Sequence, residues 1–398
     1  MARTVGESAR FARRTQMTNS VSNRSNGTVT YWSPLSVHLP MPTSLVCPSC
    51  GDSYTDRWRC TCGHPLDFAE TPLPDGSAPD PTAFDTRRGL WSFDDFLPVS
   101  RAVTLGEGMT PLVNAPNWNA QFKLEYVFPT GSFKDRGATT TVSRAAELGV
   151  EKVVEDSSGN AGAAIATYAA RAGIDADIYV PASVKASKLR AIERAGATPV
   201  RVDGSREDVT DACLDAVGSG DGWYASHAWN PAFFAGTATV AYEITLQRDW
   251  QVPDAVVTPL GHGTLFLGAY RGFRALYDAG WTDRMPRLLG AQASGYAPIA
   301  DELHGESEGE NDVADGIQIR DPVRKPEILD AIDETGGDAI ALDSAAVERE
   351  LEALHADGFY TEPTCAVAPA ALRAYRERGV LDADSDVVVP LTGSGLKS

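Results

Sequence analysis

Pro129-Thr130-Gly131-Ser132-Phe133-Lys134-Asp135-Arg136-Gly137 sets one lysine between an aromatic residue and an acid, where a loop of glycine and hydroxyl residues runs into a helical pattern. An amine so placed can form a Schiff base with a carbonyl, once its surroundings desolvate it and lower its pKa. The chain has seven lysines against 28 arginines, so a lysine with such neighbours stands out. The plainer alternative is a solvated lysine at a helix start.

Outward from this loop, strands and helices alternate. Lys152-Val153-Val154 is a strand leading into Ser157-Ser158-Gly159-Asn160 and an alanine-rich helix over 161–172. A strand is expected at 176–180, a helix at 183–195 and a strand at 198–202. Ala255-Val256-Val257 feeds a glycine loop and a helix over 265–279, and 386–389 is the last strand. Buried strands separated by helices of about 10–15 residues predict an α/β fold with parallel crossovers. The acidic stretch 305–312 reads as a surface loop.

Two strand-to-helix loops add chemistry. Backbone amides of Ser157-Ser158-Gly159-Asn160-Ala161-Gly162 can hold a carboxylate at a helix start, and the Asn160 side chain can donate to a phenolic oxygen. Gly261-His262-Gly263-Thr264-Leu265 can cradle a phosphate. Each alone is a weak signal, since a tight turn would look the same. The C-terminal Leu391-Thr392-Gly393-Ser394-Gly395-Leu396-Lys397-Ser398 lacks P-loop spacing and no helix follows it. No G-x-G-x-x-G follows a strand.

Composition narrows the classes. Hydrophobic residues make up 43% of 398, enough for a large core or two lobes. The net charge of −19 excludes nucleic acid as the main partner. No apolar run approaches the ~18 residues that span a bilayer, so no membrane association and a cytoplasmic protein are expected. An acidic, lysine-poor surface fits a halophilic source, or an ordinary acidic enzyme. Residues 1–40 hold Arg3, Arg10, Arg13, Arg14 and Arg24 against Glu7 alone. They show no helical or strand period and no apolar signal core, and are expected to be a disordered, dispensable extension, with Met41 as an alternative start.

Four of six cysteines fall in a C-x2-C-x9-C-x-C pattern: Cys47, Cys50, Cys60 and Cys62. Two close pairs, each followed by glycine, predict a zinc-ribbon-like segment over 41–68. The alternative is a ribbon that has lost its metal. His64 could replace a ligand. Residues 69–99 read as a linker.

Together these segments resemble the second fold-type of pyridoxal-phosphate enzymes, and within it the threonine synthase family. The resemblance rests on Leu105-Gly106-Glu107-Gly108-Met109-Thr110-Pro111-Leu112, the Lys134 loop, the Ser157–Gly162 loop and the Thr392–Lys397 tail, and covers residue 45 to the end. Archaeal-type members carry a similar cysteine ribbon. The resemblance implies a two-lobed fold like the tryptophan synthase β chain, with open, mostly parallel sheets over 100–398 and a smaller lobe at roughly 137–205.

It also implies roles. Lys134 would carry pyridoxal 5'-phosphate and move protons. Asn160 would contact its phenolic oxygen, Gly261, His262, Gly263, Thr264 and Leu265 its phosphate, and Thr392 its ring nitrogen. Ser157, Ser158, Gly159 and Thr110 would bind the substrate carboxylate. The family's reaction turns O-phosphohomoserine and water into threonine and phosphate, and relatives of this fold are commonly homodimers.

Two positions depart from the family pattern. Phe128 stands where asparagine is usual, and Gly236-Thr237-Ala238-Thr239 replaces Gly-Gln-Lys-Thr, removing a lysine that could meet a substrate phosphate. Lys185, Lys188 or Arg190 could compensate, though their positions suit solvated helix charges. The alternative activities are another β-elimination or replacement, such as a threonine or serine ammonia-lyase or a cysteate synthase. A different class is a non-catalytic regulator that uses the ribbon to bind a partner; intact Lys134, Asn160 and Thr392 argue against it. His38, His227, His304 and His355 carry no motif and read as structural or surface residues. Cys365 reads as a buried small residue, and Glu362 as a residue that could position the cofactor ring.

Overall fold

The computed structural model describes residues 42–397; the extension expected over 1–40 lies outside them. The ribbon is three two-residue strands, β1 (Leu45–Val46), β2 (Ser53–Tyr54) and β3 (Asp67–Phe68), with β1 central and both pairings antiparallel.

Residues 69–99 are more than a linker. Within them, 3-10 turns over Thr86–Phe96 bury Leu90, Trp91, Phe93 and Phe96. Trp91 Nε1 donates to Glu107 Oε1 at 2.9 Å, and Phe96 stacks on Tyr242 with ring centroids 4.6 Å apart. Four of the five prolines of the segment fall in its first half, Pro72, Pro74, Pro79 and Pro81. Its aromatic second half has a large apolar area to bury.

The rest of the chain builds two sheets. After the antiparallel hairpin of β4 (Leu112–Ala115) and β5 (Ala120–Lys123) comes helix α1 (Lys134–Glu147). A four-stranded, all-parallel sheet follows: β6 (Lys152–Glu155), α2 (Asn160–Ala172), β7 (Asp175–Pro181), α3 (Ala186–Arg194), β8 (Thr198–Val202), α4 (Arg206–Gly218) and β9 (Trp223–Tyr224), in order β8-β7-β6-β9. This sheet runs past residue 205, the limit read from the sequence, to Tyr224. Helix α5 (Pro231–Leu246) leads back to the larger sheet. That sheet takes β10 (Ala255–Pro259), α6 (Thr264–Asp278), β11 (Arg287–Ala293), α7 (Pro298–His304), α8 (Lys325–Thr335), β12 (Asp338–Leu342), α9 (Ser344–Ala356), α10 (Pro363–Glu377) and β13 (Val387–Pro390). Its order is β12-β11-β10-β13-β5-β4. All neighbours are parallel except β4 and β5.

The strands at the centre of the larger sheet are apolar and buried, Val256-Val257 and Val387-Val388-Val389 among them. Helices cover both faces, which is what a parallel sheet requires. Helix α5 is buried on nearly all sides and runs between α1 and α6. Its approach to α1 demands a glycine, because a Cβ on Gly236 would lie 2.0 Å from the Arg136 carbonyl oxygen. That contact fixes α1, and hence Lys134 at its first position.

Candidate active site

Lys134 opens α1, where the chain turns out of the Thr130–Phe133 loop. The turn is locked by its own sequence: Thr130 donates its amide to Asp135 Oδ2 at 2.9 Å, and its hydroxyl bonds the other carboxylate oxygen. The Phe133 amide bonds the Thr392 carbonyl at 3.0 Å, tying the loop to the end of β13. Lys134 Nζ donates to Thr264 Oγ1 at 3.2 Å and lies 4.8 Å from the Phe133 ring centroid and 5.6 Å from that of Phe233. Burial pulls its ammonium down to about 7; Arg206 adds to the shift, and Glu155 and Glu362 oppose it. At neutral pH a large share of Lys134 is therefore free amine, the form that attacks a carbonyl.

Thr264 is the first residue of α6, whose N-cap Gly263 is left-handed at φ 80°. A Cβ there would meet Ile328 Cδ1 at 2.6 Å. No side chain caps this helix and no acid sits in its first turn. Its amides and dipole thus face the loop unopposed, the arrangement that binds a phosphate. His262 lies in the same loop with a buried Nδ1 that has no partner, and burial holds its imidazole down to about 3.

The Ser157–Gly159 loop leads into α2, which also lacks a side-chain cap. Asn160 Nδ2 donates to Glu362 Oε1 at 2.9 Å, and its Oδ1 accepts from Lys397 Nζ at 2.6 Å. Lys397 also donates to the Thr130 carbonyl at 3.0 Å, so the tail spans from the Lys134 loop to the start of α2. The sequence reading took Lys397 only as part of a motif; its bridging position depends on the fold. Thr392 is buried at the end of β13. Cys365 is buried as expected, beneath the same strand end.

Thr110, expected beside the substrate carboxylate, is committed elsewhere. Its hydroxyl donates to Glu125 Oε1 at 2.7 Å, inside a fully buried ion cluster. Arg136 bonds Glu125 and Glu243 at 2.6 Å each, and Lys123 bonds Glu243 at 2.8 Å. Thr110 therefore supports α1 from below. Phe128, the first departure from the family pattern, covers this cluster, 5.0 Å from the Arg136 guanidinium. Ala238, the second, packs with Phe93, Phe96 and Tyr242. It lies roughly 140° around α5 from Phe233, the residue that faces Lys134.

Of the two alternatives read for His227, structural or surface, burial leaves the first. The residue is 7% exposed, its Nδ1 is 2.7 Å from Glu155 Oε1, and its ring centroid is 5.3 Å from that of His262. His355 is structural, bonding the Thr361 carbonyl, and His304 is a surface residue that bonds Asp338. Lys188 pairs with Asp315 at 3.3 Å, an exposed contact. No helix among the described residues is long and apolar enough to cross a membrane.

The lysine near neutrality, the uncapped glycine-led helix and the buried orphan nitrogen of His262 together suit a phosphorylated aldehyde. The family pattern described as pyridoxal-phosphate dependent enzyme matches residues 103–393. The chain belongs to this family. Among curated proteins it is 35% identical to the threonine synthase of Methanocaldococcus jannaschii over 327 residues, 78% of this chain and 80% of that protein. It is 34% identical to that of Methanosarcina acetivorans, over 77% and 80%. Among solved structures it resembles maize serine racemase (TM-score 0.63, 22% identity, 72% of this chain and 88% of that one). It also resembles an L-serine ammonia-lyase from Rhizomucor miehei (TM-score 0.61, 24% identity, 72% and 93%). These likenesses establish the two-lobed α/β fold of the family's second fold-type. The enzyme is a pyridoxal-phosphate dependent, threonine synthase-like lyase.

The ribbon forms a second candidate site. The Cys47, Cys50, Cys60 and Cys62 sulfurs lie within 4.8 Å of one another. Four thiolates about 2.3 Å from one tetrahedral zinc would be roughly 3.8 Å apart, so the cluster has the right size. His64 Nδ1 stands 3.5 Å from the Cys62 sulfur, outside the group of four.

Proposed function

We propose that this enzyme converts O-phosphohomoserine and water to threonine and phosphate. The observation that carries this reading is its likeness to threonine synthases over about four-fifths of both chains, 35% identical in the first case. The intact site around Lys134 supports it. In this reading Lys134 holds pyridoxal 5'-phosphate, and the amides of Gly261, His262, Gly263, Thr264 and Leu265 bind its phosphate. Asn160 faces the phenolic oxygen, positioned by Glu362 and Lys397, and Thr392 faces the ring nitrogen. When bound, the cofactor supplies an electron sink for charge left at Cα as a proton departs.

The chain's own residues then do the rest. Ser157, Ser158 and Gly159 hold the substrate carboxylate at the α2 N terminus. Lys134, freed as an amine near pH 7, takes the Cα proton. Phe133 and Phe233 exclude water from its nitrogen. A hydroxyl at Thr392 gives the ring nitrogen no anionic partner, which suits elimination and replacement more than transamination. Structural zinc in the four-cysteine cluster, a cytoplasmic location, a halophilic source and a homodimer belong to the same proposal.

A second reading has one specific observation in its favour: the Phe133 and Phe233 rings and the Thr264 hydroxyl line the reactive amine. That lining would suit a β-elimination or replacement on a smaller substrate, as in a threonine or serine ammonia-lyase or a cysteate synthase. Purified holoenzyme with O-phosphohomoserine separates the two. Phosphate and threonine formed in equal amounts support the first reading; no phosphate, with oxoacid formed from threonine or serine, replaces it by the second.

A further inference from the structure

Glu155 ends β6 with its carboxylate fully buried. One oxygen bonds His227 Nδ1 at 2.7 Å, while Oε2 has no partner. Such a group is costly to bury, and His227 is its one hydrogen-bonding residue among the described residues. Other carboxylates, half-buried Asp156 and buried Glu125 and Glu243, are held differently. Asp156 accepts from Tyr224 and Thr210, and Glu125 and Glu243 are paired with Arg136. Glu155 therefore lacks the hydrogen bonding that a structural acid normally has.

The pair also sits beside the reactive amine. The Phe233 ring lies 6.0 Å from the His227 ring centroid and 5.6 Å from Lys134 Nζ, so both groups face one aromatic wall. His262 closes the other side. The charged groups that bear on the pair are Asp156 just after β6, Lys134 from α1 and Arg206 from the start of α4. Burial holds Glu155 well above the usual carboxyl range and His227 well below the usual imidazole range. With burial favouring the neutral form of both groups, the Glu155 O–H would donate to Nδ1 and leave Nε2–H as a free donor. His227 Nε2 makes no hydrogen bond among the described residues.

We propose that His227 gives a proton from Nε2 to the departing side-chain oxygen of the substrate, and that Glu155 refills it through Nδ1. His227 is the catalytic residue and Glu155 its positioning residue. This deepens the proposed function and rests on its claim that a side-chain substituent is expelled. As the carbon–oxygen bond breaks, its electron pair goes to the oxygen, which takes the Nε2 proton. The Glu155 proton moves to Nδ1, leaving a carboxylate. When water adds to the carbon chain, its released proton returns to the pair. Phosphate needs such a proton because it is a poor leaving group as a trianion.

The test uses holoenzymes of wild type, His227→Gln and Glu155→Gln. Loading is checked by the cofactor's absorbance and the borohydride adduct at Lys134, so that misfolded variants are recognised. Two substrates are compared: O-phosphohomoserine, and β-chloro-L-alanine, whose chloride leaves without a proton. His227→Gln is expected to slow phosphate release about 10²- to 10⁴-fold, the usual size of general acid catalysis, and chloride release by less than about tenfold. Equal losses on both substrates, or no loss on phosphate, overturn the proposal. If wild type releases no phosphate, the substrate reading fails by itself, and L-serine then replaces O-phosphohomoserine in the same comparison with chloride.

A substrate-free readout isolates Glu155. In ¹⁵N-histidine spectra of the holoenzyme, His227 should hold its proton on Nε2 in wild type and lose that preference in a further variant, Glu155→Leu, which offers Nδ1 no donor. An unchanged His227 signal overturns the positioning role.

Discussion

A Cβ added to Gly137 would lie 2.2 Å from the Phe233 ring. This contact joins α1 to α5 three residues after Lys134 and fixes the aromatic wall beside its amine. Gly137→Ala should therefore do two things. Overpacking costs about 1–3 kcal/mol in unfolding free energy. It should also displace Phe233 and shift the absorbance of the bound cofactor. Denaturant unfolding and the visible spectrum check this; full stability with an unaltered spectrum would show that the ring yields freely.

The buried ion cluster beneath α1 makes a stronger prediction. Arg136 bonds both Glu125 and Glu243, all three fully buried. The two acids hold its guanidinium above even its ordinary value, against burial, and Arg136 with Lys123 draws Glu243 down to about 2. Arg136→Met leaves Glu125 with the Thr110 hydroxyl alone, and Glu243 with Lys123. Removing one member of such a cluster costs about 3–5 kcal/mol. Arg136→Lys should recover little, because one ammonium cannot span both carboxylates. Denaturant midpoints of the two variants give the measurement.

Much of the fold was legible where local pattern and burial agree. Thr198–Val202 is a strand over the residues expected, and α2 starts one residue before its alanine-rich run. The two glycine loops lie at helix starts, as their composition required. Helix α5 was not legible, because it is buried on nearly all sides and its apolar residues show no period of 3.6. Helix α10 hides for another reason, the Pro369 inside it, which reads as a helix breaker. His227 gave no signal because its partner Glu155 is 72 residues away. Its role comes from the pairing of β6 with β9, which brings the two strand ends together. Thr110 misled in the opposite direction: a hydroxyl in a family motif was read as a ligand, whereas the fold gives it to Glu125.

The ribbon should couple to the smaller sheet through Trp58. Its ring packs edge-on against Tyr224, at 5.5 Å, and Trp229, at 5.0 Å, while Trp223 Nε1 donates to Asp56 at 2.9 Å. Tyr224 and Trp229 flank His227 in the chain. We expect one zinc per chain, and a chelator should shift tryptophan emission and lower the melting temperature. Trp58→Ala should weaken the docking by at least the ~0.5–1.5 kcal/mol of each aromatic pair. Metal analysis with fluorescence during chelation tests both; intact protein that holds no zinc would sink the coupling.

Lys134 makes the stability of the cofactor-free enzyme depend on pH. The unfolded chain keeps this amine near 10.5, and burial in the folded chain lowers it to about 7. Between those values the unfolded chain binds the proton and the folded chain does not. Stability therefore rises with pH across that window, and the penalty of the buried ammonium is complete below about 7. Lys134→Met removes the penalty with similar volume. Cofactor-free Lys134→Met should thus melt above cofactor-free wild type at about pH 6, by a margin that shrinks toward pH 10. A margin independent of pH would mean that Lys134 titrates normally. The same titration governs cofactor attachment: its rate, followed by absorbance, should climb through pH 7 and level off above about pH 8, as the free amine becomes the main form.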